Sequence, residues 1–514
     1  MARSSKIIIA KNIKLDKEYK EVLNYSESDM LTLINSKKVA ESNNYSFIRE
    51  TGTISVAFSY SDCLQCNYMA FQNPDYSNKW FFAFIDDVKY INNNTVQIEY
   101  TIDVWSTWFS KLTVSSAFVI REHVNNDTVG LHTLPENVET GEYITYNSNE
   151  IYNNNCTIVI ATTFLPSSAS TGQDVSGSFA FGIFSGAKLY AMYDYASATT
   201  FINWCAGNGK LDSIQYIFMV PDWILRRSEW APFTDWVDIN GFLDATVINT
   251  DLQVPTTLNS YTPKNKKLLC YPYSYFAISN NAGGNMIIKY EDLNIGATTF
   301  RIKTQGTVTP GCSIKTYVEQ NLEGVTNYDV GLTGAKYPIC SWSGDVFTNW
   351  LTQNGVNIAV DVAGSLLNMG MSAMSLNPQG VASSTMGIAQ TVASVYQHSL
   401  APDPVKGNVN SGDVAFTTDN NVMTYAYRGI KEEYARVIDS YFTRYGYKIN
   451  QNKIPNITGR RYWNFIQIAN SDTLGYGEIP QKFMDEINRI ARSGVTIWHS
   501  HDNLGDYTLN NIII

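Results

Sequence analysis

Charge is scarce in this chain. Only 16% of its 514 residues are Asp, Glu, Lys or Arg, against about 25% in ordinary globular domains. The shortage is deepest between Asp345 and Asp403, where Asp361 is the one charged residue. At the chain average, a window of that length holds roughly nine.

Other absences exclude function classes. A basic surplus is missing: the net charge is −10 and the pI about 5.1. Strong sequence-independent DNA binding needs many Lys and Arg contacts to phosphate, so it is not expected. An acidic surface instead suits one past which DNA slides without sticking. Cysteine spacing gives no framework either. Of seven Cys, only Cys63 and Cys66 are close, as CLQC, and no second pair follows at zinc spacing. All seven, Cys340 included, read as buried reduced thiols. The N-terminus MARSSKIIIAKNIKLDKEY has one short apolar run, IIIA, which Lys11 interrupts. That is too short for a secretory signal. The expectation is synthesis in a cytoplasm and exit inside a larger particle.

Catalytic signatures are missing as well. There is no GxSxG elbow, no GxxxxGK[ST] loop, no HExxH and no complete GxGxxG. No catalysis, cofactor or metal is expected. The cluster WHSHD, Trp498 to Asp502, puts two His at i and i+2, which point the same way on a strand and could meet a metal. We read it as an exposed polar turn after the strand VTIW. Asp86 and Asp87 are adjacent on a strand, so their carboxylates diverge.

What remains is mostly strand. The 33 Tyr and a 44% hydrophobic fraction indicate globular, β-rich structure. TVQIEYTIDVW, from Thr95, alternates with period two. It follows the strand KWFFAFIDDVKYI across an Asn turn at Asn92 to Asn94. SSAFVIREHV, CTIVIATTFL, SIQYIFMV, NMIIKY and TFRIKTQG continue the pattern, the loop SSASTGQDVSGS (Ser167 to Ser178) breaks it, and SATTFINWCAG reads as a short helix. Near the end, IKEEYARVIDSYFTRYG predicts a helix with Ile430, Tyr434, Val437, Ile438, Tyr441, Phe442 and Tyr445 on one face and Gly446 as its stop. IPQKFMDEINRIARSG predicts another, opened by Pro480, with Phe483, Met484, Ile487 and Ile490 inward. The fold class is mainly β with a few α-helices, in several domains, plus an apolar insertion. Boundaries fall at 1–130, 131–345, 346–412 and 413–514.

The insertion is the candidate functional element. Asn377-Pro378 divides it into Val356 to Leu376 and Gly380 to Tyr396. As helices these halves would be roughly 30 and 25 Å long, lengths that bracket a bilayer core. Ala359 and Ala363, then Ala389 and Ala393, are small-xxx-small pairs that allow close helix approach in lipid, as does the series Ser383, Gly387, Thr391. Its apolar side chains are Val356, Ile358, Val360, Val362, Leu366, Leu367, Met369, Met371, Met374, Leu376, Val381, Met386, Ile388, Val392 and Val395. Asp361 is costly in lipid unless it faces a wet pore, so it is the candidate pore-lining residue. The competing reading is a helical hairpin buried in an ordinary core.

Five stretches carry a resemblance, in order. They are MAFQNPDYSNKWFFAF (Met69 to Phe84), EYTIDVWSTW (Glu99 to Trp108), FVIREHV (Phe118 to Val124), RYGYKIN (Arg444 to Asn450) and GVTIWHSHDNLGDY (Gly494 to Tyr507). Together they resemble the tail knob, or distal tail tube, proteins of short-tailed phages of the Salasvirus type. The resemblance implies tail-tube-like β-sandwich or barrel domains and a homohexameric tube at the tail tip. It also implies hydrophobic loops that plug the lumen and later enter the host cytoplasmic membrane. The implied partners are sister subunits, the lower collar and proximal tail proteins, membrane lipids, and double-stranded DNA passing without sequence-specific binding. Asn354 to Ala401 sits in the matching place. Two other classes stay open: a tail-tip cell-wall hydrolase and a receptor-binding adhesin.

Overall fold

The computed structural model describes residues 6–48, 52–73, 77–153, 155–163, 178–180, 183–185, 188–207, 214–225, 236–238, 246–306, 308, 311–320, 331–334, 337 and 422–514. The chain divides into two units. The first takes Met1–Gly141, Tyr261–Leu268 and Glu432–Ile514; the second takes Glu142–Ser260 and Leu269–Lys431. The fold is mainly β in both.

In the first unit a seven-stranded sheet runs in the order Lys38–Ser42, Ile7–Ala10, Tyr68–Asn73, Lys79–Asn92, Thr95–Ile102, Thr53–Val56, Tyr45–Ile48. The two outermost strands are consecutive in the chain, separated only by Asn43 and Asn44. The sheet therefore curls toward a barrel, and the Tyr45 hydroxyl donates to the Gln72 carbonyl across the gap. Alternation decides which side of each strand is inside. Val96 and Ile98 are fully buried while Gln97 and Glu99 are not, as the period of two requires. Phe81 to Phe84 are all buried, because this strand is covered on both faces.

A second sheet of five strands runs Glu21–Leu23, Val495–Trp498, Trp463–Ile468, Ala117–Glu122, Tyr447–Lys453. It draws on both ends of the sequence. The helix Gln481–Ser493 packs Ile487, Ile490 and Ala491 into the large core with Ile466 and Ile468. Phe465, next to Ile466, meets Tyr445 of the helix Glu432–Tyr445. Neighbouring strand residues point to opposite faces, so the two helices lie on opposite faces of this sheet.

The helix Glu432–Tyr445 stops at Gly446, whose φ is +64°. A Cβ there would stand 2.1 Å from the Glu122 carbonyl oxygen, so only glycine fits. One part of the expected face is corrected. Val437 is 70% exposed, and Tyr434, Tyr441 and Tyr445 are half-buried. The inward residues are Ala435, Ile438, Asp439 and Phe442. The aromatic count misled the reading: a buried Asp439 takes a core position that hydrophobicity would not assign.

In the second unit one sheet has the order Tyr143–Glu150, Thr424–Ile430, Ser274–Ser279, Asn285–Ile288. Another runs Thr246–Gln253, Thr299–Gly306, Ile314–Gln320, Leu332–Thr333. A third runs Ile214–Pro221, Cys156–Thr162, Lys188–Met192, Trp236–Asp238, beside the helix Tyr195–Gly207. The six described Cys are buried free thiols.

Candidate functional site

The insertion itself, Val356 to Val395 with Asp361, lies outside the described residues, as do Cys340, His398 and most of the loop Ser167–Ser178. Among the described residues no helix is long and apolar enough to cross a membrane. What the structure gives is the root of the insertion, in the second unit.

The outgoing stem continues from Leu332–Thr333, which pairs with Lys315 and Thr316. Gly334 N–H then donates to the Ile314 carbonyl at 2.6 Å, and Tyr337 N–H to the Cys312 carbonyl at 2.8 Å. Tyr337 is fully buried. Burial, with Cys156, Tyr152 and Cys312 around it, holds its phenol well above the ordinary range. It is a neutral anchor, not a titrating group.

The returning stem begins at Val422 and Met423, both buried. The Met423 carbonyl accepts from Ile151 N–H at 2.8 Å. Its sulfur accepts from the Thr316 hydroxyl at 2.8 Å, and Thr316 shares a 2.9 Å hydroxyl contact with Thr304. The stems lie side by side: a Cβ on Gly334 would stand 3.3 Å from Met423 Cε.

Two neighbouring asparagines fasten this pair. Asn280 Nδ2 donates to the Thr333 carbonyl at 2.9 Å. Asn281 Nδ2 donates to the Val422 carbonyl at 2.8 Å. Both sit in the turn after Ser274–Ser279. Asn280 Oδ1 accepts from Ala282 and Gly284 N–H at 3.0 and 2.7 Å, which folds the turn. Asn281 is left-handed, at φ 54°, a conformation Asn tolerates better than most residues. Sequence reasoning missed this clasp. SNNAGG announces a turn, but nothing local tells which distant carbonyls its amides reach.

The first unit holds a buried charge cluster. Glu136, 1% exposed, pairs with Arg121 and, at 2.7 Å, with Lys267; it also accepts from Lys448 N–H at 2.8 Å. Asp439 accepts from the Tyr261 hydroxyl, Lys264 N–H, Asn265 N–H and the Asn265 amide. These two carboxylates tie Tyr261–Leu268 into this unit. Their neighbours are donors, which suits a fastening and not a proton-transfer site.

The WHSHD reading needs correction. His501 is 2% exposed, and its Nε2 accepts from Lys14 N–H at 3.2 Å. His499 Nε2 and Asn464 Oδ1 are 3.1 Å apart. Burial holds both imidazoles below their usual pKa. The segment is a packed corner, not an exposed turn, because Lys14 and Tyr25 from the start of the chain bond to it. Among the described residues no group of three His, Cys, Asp or Glu could hold a metal.

A family model for the C-terminal domain of tail knob protein gp9 of Bacillus phage phi29 matches residues 243–512. That is more than half of the chain. The chain belongs to this tail knob family. A second model, for the N-terminus of caudoviral major tail proteins, matches residues 3–113. The tail knob protein gp9 of Bacillus phage PZA is 24% identical over 576 residues, covering 95% of this chain and 94% of that one. The namesake from phage phi29 is 24% identical, covering 89% of each. The solved tail knob protein gp12 of bacteriophage C1 shares the fold, with a TM-score of 0.65 at 17% identity, over 99% of this chain and 100% of that one. The resemblance read from the terminal motifs is thus confirmed.

Proposed function

We propose that this tail knob family member is a structural protein of a phage tail tip. Six copies form a tube that joins the lower collar and proximal tail proteins, and its apolar insertions plug the lumen. On infection the insertions enter the host cytoplasmic membrane and let double-stranded DNA pass, without catalysis. Family membership along nearly the whole chain supports the tail assignment. The membrane step is carried by one observation: a nearly uncharged segment leaves one sheet of the second unit and returns to another through stems fastened side by side.

The physics is a change of shelter. Apolar surface in water costs about 25 cal/mol per Å². Sister copies remove that cost in the plugged tube, and lipid removes it afterwards. In this reading Asp361 from six copies forms an acidic ring facing the wet pore. Dye release from liposomes tests it. The intact protein should release dye, and a variant lacking Asn354 to Ala401 should stay hexameric and release none. Equal release by that variant would sink the membrane role.

A further inference from the structure

We infer that the outer face of the helix Glu432–Tyr445 is a binding groove for an anionic glycan, a chain of sugar rings bearing phosphate or carboxylate groups. An open groove of about 480 Å³ is lined there by Arg436, Val437, Ser440, Tyr441, Arg444 and Tyr445.

The lining supplies two kinds of recognition. Arg444 is exposed and lies 4.8 Å over the Tyr507 ring. Among the described residues no carboxylate pairs with it. A guanidinium held over a ring, with no carboxylate partner among the described residues, can make a two-pronged contact with an oxyanion. Arg436 donates through Nε and Nη2 to a single oxygen of Glu432, at 3.0 and 2.5 Å. That pair is solvent-exposed on both sides, so a ligand anion can replace Glu432 at small cost. Arg121 lies 5.0 Å over Tyr441 and braces that ring from behind, its own charge already met by Glu136. The lining holds Arg436 and Arg444 and no carboxylate, so its charge favours an anion.

The aromatic part selects rings. Tyr441 and Tyr445 stand 5.2 Å apart, at 55° to each other, and are half-buried. Such faces stack on the C–H face of a sugar, while Ser440 offers a hydroxyl to its oxygens. Val437, 70% exposed, supplies apolar floor that no other part of the described chain covers.

Binding measured by calorimetry on the full chain tests the inference. The probes are a glucuronate-containing hexasaccharide, a glycosyl-phosphate hexamer, a neutral cello-oligosaccharide of equal length and an oligo-dT of equal charge. At least one anionic glycan should bind ten times more tightly than the neutral one. Arg444→Ala and Val437→Glu should each weaken that binding at least tenfold, with the melting temperature of Val437→Glu unchanged. Val437→Glu removes no described contact, so it separates groove charge from folding. Three results would overturn the inference: neither anionic glycan binds; oligo-dT binds as tightly, which gives the groove to nucleic acid; or the variants alter oligomeric state alone, which gives it to a second copy.

Discussion

Replacing Glu136 by Gln should destabilise the first unit far more than its size suggests. The side chain keeps its shape but loses its charge. Lys267, 3% exposed, and Arg121, 11% exposed, then face a neutral acceptor. Breaking a buried pair by removing one partner typically costs about 3–5 kcal/mol, because the other charge stays buried and unpaired. Arg121 keeps its 2.7 Å bond to the Gly446 carbonyl, and Lys267 keeps its ring contacts with Tyr447 and Phe442. The lower end, about 3 kcal/mol, is therefore expected. Urea denaturation followed by tryptophan fluorescence gives the number, since Trp463 and Trp498 are fully buried in this unit. The double variant Glu136→Gln with Lys267→Met decides the mechanism. Met suits a site between two aromatic rings and removes a buried charge that has lost its carboxylate, so the double variant should be more stable than the single one. A loss under about 1 kcal/mol for Glu136→Gln, or a double variant worse than the single, would refute the buried-charge account.

Two further outcomes follow from the same geometry. Asn281→Ala removes the bond to the Val422 carbonyl and places Ala at φ 54°, together about 1–3 kcal/mol; exchange of the Ile151 amide, bonded to Met423, should accelerate about tenfold or more, and Asn281→Gly should recover the backbone part only. Acid should weaken the first unit through His123, which burial first, then Arg460 and Arg121, lowers to about 3. Its folded pKa lies below the unfolded value of about 6.5, so its stabilisation is complete above that pH and is lost as pH falls toward 3. His123→Asn should reduce the slope of stability against pH by about one proton, up to about 1.4 kcal/mol per pH unit; an unchanged slope between pH 6 and 4 would refute it. Asp127, raised by burial, acts in the opposite sense and moderates the wild-type slope.

The β-rich class and the hairpin at Asn93-Asn94 were legible because alternation and turn chemistry are local signals. So were both C-terminal helices and the Gly446 stop. Val437 was misplaced because helical periodicity counts apolar residues and cannot see that a carboxylate such as Asp439 is buried when four donors meet it. His501 was misplaced for a similar reason: its partner, Lys14 N–H, lies 487 positions away. The clasp of Asn280 and Asn281 escaped altogether. Its bonds reach Thr333 and Val422, 53 and 141 positions distant, and no spacing in the sequence encodes that.

The side-by-side stems also explain why so unusual a segment is compatible with a folded body. The stems enclose the 84 residues from 338 to 421. Loop closure costs grow only with the logarithm of length, so closing this span instead of a ten-residue loop adds about 2 kcal/mol. The root carries that small difference with buried Tyr337, the Met423 contacts and the two asparagine bonds. The same arithmetic protects the liposome test. Removing Asn354 to Ala401 takes out 48 residues and changes closure by less than about 1 kcal/mol. Every described residue, both stems included, lies outside the deletion. The shortened chain should therefore fold and assemble, so a loss of dye release would report on the insertion itself and not on a damaged root.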